Sequence, residues 1–432
     1  MNDAGASSRR TTFAICTLMA AMILLHGSGL LAGPAASDSS NSPVIHSGAT
    51  PAAANQSLHF REVWRRGDEA DELAFGFIIS ALGAEDGSVY LLDRWRSTVY
   101  VIDANGELSR ELSREGEGPG ETRQPTCLTW LPGNEMGIVQ PVPGCIVRLA
   151  PDGDPAGTIV PDLVSARAAQ FGVLTEATWR GGTLACTGSR SQFGEGVHRH
   201  ESFLSVCDPA SGAEIVRLLE HKRVNDGQSP YTEDYWVHEG RWCIDAAGQV
   251  CVAPFRDRYA VQVFSPQGKL LREISREYEP WRRTAEEKQA LITRFTPPPN
   301  EFGAGREIRV SDHEPCLAEL RAADNGELWV RHSRSSRPRK PGVFDTWDVF
   351  DADGHFARTV DLCVPGDSTR DRLIFLPGGR IVVIYGFREA SRALFAQGAA
   401  AGGAKAEVHE VACFEPMPAT ADGQPQADGG PR

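Results

Sequence analysis

The sequence predicts an all-β fold, a six-bladed β-propeller of four-stranded antiparallel blades that is closed by an N-terminal strand. Three observations predict it: a glycine turn followed by a β-type run recurs six times, a second glycine turn recurs five times, and one strand-like segment precedes the first complete unit. The 44 Gly and 28 Pro among 432 residues also favour many turns over long helices.

The first turn begins a hairpin in every unit. Glycine suits it because tight hairpins need positive φ angles, which other residues adopt at a cost. Runs such as SVYLLD, QVCVAP and RIVVIY follow these turns and have the composition of strands. The six copies predict six blades and lie at residues 84–87, 132–134, 180–182, 245–248, 323–326 and 377–379.

The second turn adds a strand on each side and makes each unit four-stranded. Its five copies lie at residues 101–108, 148–154, 206–215, 263–271 and 349–356. The sixth unit lacks this turn, whereas residues 58–65 (LHFREVWR) form a strand-like segment ahead of the first unit. We expect this segment to supply the missing outer strand of the last blade, which leaves no large unpaired edge.

An irregular pair of β-sandwiches is the alternative fold, and the regular repeat argues against it. One insert differs from its surroundings, because residues 284–295 (TAEEKQALITRF) have an N-cap Thr followed by Glu residues. This insert predicts a short helix.

The two ends of the chain differ from the body at 58–415. Residues 1–36 predict a signal peptide, since Arg9 and Arg10 precede an uncharged apolar stretch and small residues precede a cleavage point. An uncleaved membrane anchor is the alternative. Residues 37–57 predict a flexible linker and residues 416–432 a disordered tail, because both are small or polar and lack apolar periodicity. The mature protein is thus expected in the periplasm or outside the cell, without an integral membrane segment.

Charge and cysteine content narrow the partners and the chemistry. A net charge of -13 argues against general nucleic-acid binding, which needs a dominant basic surface. Nine of the ten cysteines follow the signal peptide, so at least one is unpaired within the chain. Three pairs are candidates for neighbouring strands, although free buried thiols are an equal alternative: Cys127 with Cys145, Cys186 with Cys207, and Cys243 with Cys251.

The long connections should meet on one side of the molecule, since consecutive strands alternate direction and both short turn classes emerge on the other. Variable loops on a rigid scaffold commonly bind ligands. Repeated Arg there could hold an anion, with aromatic rings for stacking. Salt-bridged or solvated arginines are the alternative. The predicted ligand-binding residues are Arg94, Trp95, Arg96, Tyr231, Tyr235, Trp236, Arg256, Arg258, Arg331 and Arg334.

The other motifs in the sequence do not identify a catalytic or metal site. The sequence has no GxSxG, HExxH or EF-hand pattern. His198 and His200 could face one side of a strand as metal ligands, but no third ligand is evident. His238 beside Glu239 could be an acid–base pair or a surface His. The string GEGPGE at 116–121 lacks the lysine of a phosphate loop and is interpreted as a structural turn.

Residues 99–125 (VYVIDANGELSRELSREGEGPGETRQP) carry a resemblance. This stretch resembles bacterial exported six-bladed β-propellers with NHL-like repeats, in which a Gly-Pro-Gly-Glu string follows an apolar strand pair. The repeats extend the resemblance over 58–415, although Thr122 replaces the expected apolar residue. The resemblance implies the fold and export, and it implies no catalytic residue.

We therefore expect an extracytoplasmic binding protein that engages an unidentified small molecule, glycan or protein through the long-loop side. No catalytic residue and no metal ligand is predicted, and no cofactor. The alternative is a lactonase-like, metal-dependent hydrolase or lyase with a divalent cation such as calcium in the central channel. A purely structural envelope protein is a third hypothesis.

Overall fold

The computed structural model describes residues 42–68, 70–164, 170–194, 197–233, 240–299, 303–338, 340–391 and 409–418. Two strands, β1 (Val44–Ser47) and β2 (Gln56–Arg66), precede the repeated units. All further strands but two belong to four-stranded antiparallel units, which we number in chain order. The predicted signal peptide lies outside the described residues.

The first three units are consecutive meanders. The first contains β3 (Ile78–Gly83), β4 (Val89–Asp93), β5 (Thr98–Ile102) and β6 (Leu108–Leu112). The second contains β7 (Cys127–Leu131), β8 (Glu135–Gln140), β9 (Cys145–Leu149) and β10 (Pro155–Ile159). The third contains β11 (Gln170–Arg180), β12 (Thr183–Gly194), β13 (Val197–Cys207) and β14 (Glu214–Asn225).

The next two units have inserts around them. A short parallel pair joins β15 (Tyr231–Thr232) to β20 (Ile308–Arg309). The fourth unit contains β16 (Trp242–Ile244), β17 (Val250–Val252), β18 (Ala260–Phe264) and β19 (Leu270–Arg276). The fifth contains β21 (Leu317–Ala322), β22 (Leu328–His332), β23 (Asp345–Phe350) and β24 (Phe356–Cys363).

The sixth unit draws strands from both ends of the chain. It consists of β25 (Arg372–Phe375), β26 (Ile381–Ile384), β27 (Val411–Pro416) and β2. Strand β2 pairs antiparallel with β27, from Phe60 opposite Pro416 to Arg66 opposite Val411. The described residues thus form an all-β, propeller-like arrangement of four-stranded antiparallel units.

The hairpin turns lie where the sequence predicts them. In the second unit the turn is a single 3-10 turn, Pro132–Asn134, in which Gly133 has a φ of 76° that a β-carbon would strain. Two further 3-10 turns are Asp162–Val164 and Pro377–Gly379. The predicted helix is confirmed as α1 (Ala285–Phe295), with Thr284 and Glu287 forming a capping box.

The linker prediction is wrong over the described part of 37–57. Strand β1 pairs in parallel with β19, and the beginning of β2 pairs in parallel with β24, from Gln56 opposite Val360 to His59 opposite Cys363. Small polar residues do not exclude strand pairing when the backbone groups of an outer strand are free to accept it. The segment 44–66, which we call the N-terminal strap, therefore borders units four, five and six.

The hydrophobic core lies between successive units. Clusters of buried side chains join units one and two, two and three, three and four, four and five, and five and six. A further cluster joins the last unit to the first and contains Trp64, Val89, Leu91, Val382 and Val411. Each unit therefore contributes both faces of its sheet to the core.

The cysteines are free thiols in the structure. Cys127 and Cys145 are not on neighbouring strands, because β8 lies between β7 and β9. Cys186 and Cys207 lie on the neighbouring strands β12 and β13, and Cys243 lies directly opposite Cys251.

Candidate functional site

A groove lies between the fourth and fifth units, where the long connections 277–316 and 333–344 leave the strands. It has a volume of about 400 Å³ and continues into a second depression of about 270 Å³. The larger volume is at the lower end of the range of small-molecule sites. The side chains shared by the two depressions are Ala49, Arg276, His332 and Arg334.

Buried Asp348 forms the floor of the groove. Its Oδ2 accepts hydrogen bonds from the Tyr259 hydroxyl at 2.6 Å and from Nε of Arg276 at 2.8 Å. Burial alone raises the pKa of Asp348, but His332 and Arg276 outweigh it and hold that pKa below its usual value. The carboxylate is therefore ionised at neutral pH, and Arg276 neutralises it.

Tyr278 and His332 lie above the carboxylate. Nε2 of His332 is 3.4 Å from Oδ1 of Asp348, and Nδ1 is 3.2 Å from the Tyr278 hydroxyl. Burial raises the pKa of Tyr278 to about 12, so its hydroxyl stays protonated at neutral pH. The guanidinium of Arg276 lies 4.8 Å from the Tyr278 ring centre and stacks on it. The Tyr278 hydroxyl therefore holds one nitrogen of the His332 imidazole, and the other nitrogen faces the Asp348 carboxylate.

Two partly exposed basic side chains, Arg334 and Lys340, lie on the outer wall of the groove. Arg334 is 38% exposed, and its nearest carboxylate, Glu279, is 3.7 Å away and 86% exposed. Lys340 is 48% exposed and contacts Asp361 at 2.8 Å. The pair of Arg334 with Glu279 is exposed and contributes little stability, so an anionic ligand could replace Glu279 at small cost. The partner of Lys340 is different, because Asp361 is buried and also accepts hydrogen bonds from Asn55 and Thr346. Arg337 is held more firmly, between Glu287 at 3.0 Å and Glu314 at 2.8 Å.

Of the residues predicted as ligand-binding, Arg334 lines this groove. Three others make contacts inside the protein that hold the fold together. Tyr231 is buried in β15 beneath Arg306 and has no exposed ring face, unlike the prediction. Arg331 binds the buried carboxylate of Asp345 at 2.6 Å. Arg256 binds Glu233 at 3.0 Å and is 13% exposed. These three are stabilising contacts.

Four more predicted residues lie apart from the groove. Arg94 donates to the Pro125 carbonyl at 3.2 Å, and burial lowers its pKa to about 10. Half-buried Trp95 packs against Phe77. Two arginines are exposed: Arg96, 3.8 Å from Asp93, and Arg258, 3.2 Å from Glu273. Tyr235 and Trp236 lie outside the described residues.

The other motifs are placed as follows. His200 has both ring nitrogens engaged, with Ser191 and Ser202 each at 3.1 Å, which leaves no free position for a metal ion. His198 stacks on Phe193 at 4.3 Å. In GEGPGE the carboxylate of Glu121 accepts the Gly118 amide at 2.8 Å, as expected for a structural turn. His238 and Glu239 lie outside the described residues.

Among the described residues one group has metal-ligand proximity, namely Asp351, Asp353 and His355 on the β23–β24 turn. All three are exposed, and exposed acidic turns are common without a metal ion. The calcium-dependent alternative therefore stays a prediction. Within the described part of the chain, no helix is both long and apolar enough to cross a membrane.

Arg256→Ala should lower the free energy of unfolding by about 2 kcal/mol, the scale of lost hydrogen bonds to a charged group. Its guanidinium joins Glu233, Ser311 and the His313 carbonyl. Urea denaturation measures the change, and exposed Arg258→Ala is the control with little expected effect. Equal stability of the two variants would contradict the structural role of Arg256.

The sequence patterns did not predict five residues of the groove: Tyr259, Arg276, Tyr278, His332 and Asp348. They come from strands and connections of two different units, which sequence spacing does not relate. One signal was present, since Asp348 interrupts the apolar run TWDVF of β23. A carboxylate at a buried strand position needs a charged partner, and this need indicates a buried polar network.

Comparison with known proteins shows similarity to solved structures only. No protein-family model matches the chain, and no curated protein matches it. The similar structures include a DUF4221 family member from Bacteroides vulgatus (10% identity, TM-score 0.46, 83% of this chain and 98% of that one). A second is a protein from Bacteroides fragilis described as exported (8% identity, TM-score 0.44, 85% and 100%). A third is virginiamycin B lyase from Staphylococcus aureus, in a catalytically inactive form with quinupristin (10% identity, TM-score 0.38, 75% and 81%).

Proposed function

We propose that the chain is an exported, closed six-bladed β-propeller that binds a small anionic molecule in the groove between its fourth and fifth blades. The closure is supported by the pairing of β2 with β27 and by the core cluster that joins the last unit to the first. Export is supported by the features of residues 1–36. The NHL-like assignment remains a resemblance.

The observation that carries the binding function is the set of cations around the groove. Arg334 is exposed and loosely paired with the exposed carboxylate of Glu279. Lys340 is exposed and binds the buried carboxylate of Asp361, and Arg276 and Arg337 lie behind these two cations. The whole chain has a net charge of -13, and the groove brings four basic side chains together, with Glu277, Glu279 and Asp348 also in its lining. Guanidinium groups bind carboxylates and phosphates through paired hydrogen bonds, which favours a ligand with one of these groups.

The groove also offers ring surface and hydroxyls beside the cations. The side chains of Tyr278, Ser335 and Thr346 line it. A ligand with an anionic group and a polar or cyclic body would contact both parts. The fixed ion pair of Arg276 with Asp348 keeps the floor rigid, so binding costs little reorganisation.

The test uses defined anions as probes. We expect citrate and tripolyphosphate at millimolar concentration to raise the thermal midpoint of the purified protein, because a ligand that binds only the folded state stabilises it. The double variant Arg334→Ala/Lys340→Ala should lose most of this shift. Sodium chloride at equal ionic strength separates specific binding from screening.

The matched control is Arg96→Ala/Arg258→Ala, which removes two exposed arginines outside the groove. We expect it to keep the full anion-dependent shift. A loss in this control with no loss in the groove variant would refute the groove and favour the wider Arg-bearing surface. No shift with either probe in the unmodified protein would refute anion binding itself.

A further inference from the structure

Arg306 is a buried arginine with two hydrogen-bond donors that the described residues leave unused. It ends a turn that begins at Gly303, since the Arg306 amide donates to the Gly303 carbonyl at 3.3 Å, and it lies two residues before β20. Arg306 is 8% exposed. Its Nη1 donates to Oδ1 of buried Asn225 at 3.1 Å. Among the described residues, neither Nε nor Nη2 has a hydrogen-bond partner, and no carboxylate pairs with the guanidinium.

Arg283, in the same connection 277–316, shows how the protein accommodates another buried guanidinium. Its Nη1 and Nη2 donate to the two carboxylate oxygens of Glu233 at 2.6 and 2.7 Å. The side chain of Arg283 is 5% exposed, so its burial is similar to that of Arg306. A buried charge is costly unless an opposite charge and hydrogen bonds compensate it. Arg306 therefore has the burial of a paired arginine, and its donors remain open to an anion.

The two unused donors lie on one edge of the guanidinium. In this planar group the N–H of Nε and one N–H of Nη2 point the same way and match two oxygens of a carboxylate or phosphate group. Cζ lies 5.1 Å from the centre of the Tyr231 ring and stacks on it. A β-carbon added at Gly303 would lie 3.1 Å from both Cζ and Nε, so the backbone of this turn also packs closely. With Nη1 held by Asn225, these contacts fix the direction of the Nε–Nη2 edge.

The nearby acid Asp226 does not occupy this edge. Its Oδ1 accepts hydrogen bonds from the amides of Gln228 at 2.9 Å and Ser229 at 2.8 Å, and its Oδ2 accepts one from the Ser229 hydroxyl at 2.7 Å. Asp226 is also exposed, so water and salt screen its charge. Burial accordingly lowers the pKa of Arg306, and Asp226 offsets this only in part. An anion on the Nε–Nη2 edge would favour the charged guanidinium.

The turn that carries Arg306 lies at the surface. A β-carbon added at Gly305 would meet no atom of the described residues within 4 Å, so the turn borders open space. The path from solvent to the guanidinium is therefore short. The enclosed donors favour a small group over a bulky one.

We propose that Arg306 is a second anion site, which binds one carboxylate or phosphate group through Nε and Nη2. The site lies between the end of β14 and the turn before β20, and Arg306 is not among the residues that line the groove. It stands on separate contacts, so it does not depend on the proposed function.

Thermal unfolding of variants tests the site with inorganic phosphate and acetate as probes. The parent protein is Arg334→Ala/Lys340→Ala, in which the groove has lost its two outer cations. We expect at least one probe to raise the thermal midpoint by about 2 °C or more relative to sodium chloride at equal ionic strength. Chloride is the reference because a single atom cannot offer two oxygens to the two donors. Adding Arg306→Gln should abolish the shift.

The matched control is Arg309→Gln in the same parent protein. Arg309 lies in the same segment, but it is 60% exposed and pairs with Glu307 at 2.7 Å. We expect this control to keep the full shift. A shift that survives Arg306→Gln would overturn the proposal, and so would the absence of a shift with both probes.

A crystallographic measurement on the unmodified protein does not depend on how any variant folds. Selenate has the tetrahedral shape of phosphate, and the anomalous scattering of selenium locates it. We expect selenate oxygens at about 2.8 Å from Nε and Nη2 of Arg306, the usual length of a charge-assisted hydrogen bond. Soaked crystals without selenium density beside this edge would contradict the site.

Discussion

Replacing Asp348 by Ala should lower the free energy of unfolding by about 3 to 5 kcal/mol, the scale of breaking one half of a buried ion pair. The side chain of Asp348 is 1% exposed and that of Arg276 is 10% exposed. Without the carboxylate, the guanidinium remains as a poorly hydrated charge and the Tyr259 hydroxyl loses its acceptor. Urea denaturation at pH 7 measures the change.

The matched control is Asp353→Ala, which removes an exposed carboxylate from the β23–β24 turn of the same unit. We expect a change within about 0.5 kcal/mol, as for most surface substitutions. If Asp348→Ala were as stable as this control, the ion pair beneath the groove would not be a stabilising element.

The pH dependence of stability provides a further check on Asp348. Its pKa is lowered in the folded state, so the unfolded chain binds a proton more readily. The stabilisation is complete above the unfolded pKa, roughly 4, and is lost as the pH falls through the lower folded value. Asp348→Ala should show a shallower fall below pH 4 than the unmodified protein, and an identical fall would contradict this assignment.

Trp64→Ala should lower the free energy of unfolding by about 3 to 5 kcal/mol, as for other large-to-small changes in a core. Trp64 is 6% exposed and lies in the cluster that joins the sixth unit to the first. It also lies close to Gly106, where an added β-carbon would be 2.5 Å from the β-carbon of Trp64. Thermal and urea unfolding report the loss.

Neighbouring Val63 provides the control, because it lies on the same strand and is 37% exposed. Val63→Ala should cost well under 1 kcal/mol. If both variants unfolded at the same denaturant concentration, the junction between the first and last units would contribute little to stability, and the proposed closure of the ring would lose its main energetic support.

Local signals predicted much of the fold. At each glycine turn the backbone conformation restricts which residue fits. The hairpin turns, beginning with the one at 84–87, therefore predicted the units and the number of strands in each. The start of α1 was also predictable, because the cap residues Thr284 and Glu287 are close together in the sequence. The pairing of β1 with β19 could not be predicted, since no local pattern in 44–47 specifies a partner more than 200 residues away.

The candidate site was less predictable than the fold. The predicted arginines lie at or after the second strands of units one, four and five, and sequence cannot tell a paired arginine from a free one. Arg256 and Arg331 meet carboxylates contributed by Glu233 and Asp345. The groove itself depends on how two units approach each other, and among the described members of the predicted set only Arg334 lines it.

The N-terminal strap has a consequence for how the protein is made. Arg61 of β2 and Glu415 of β27 form an ion pair across 354 positions of the chain. Synthesis runs from the first strand to the last, so β2 waits without its partner until nearly the whole chain has emerged. Contacts this distant in sequence form slowly because a long loop must close first. Strand β2 is therefore synthesised early and paired with β27 late, and its unpaired edge favours aggregation of the incomplete chain until then.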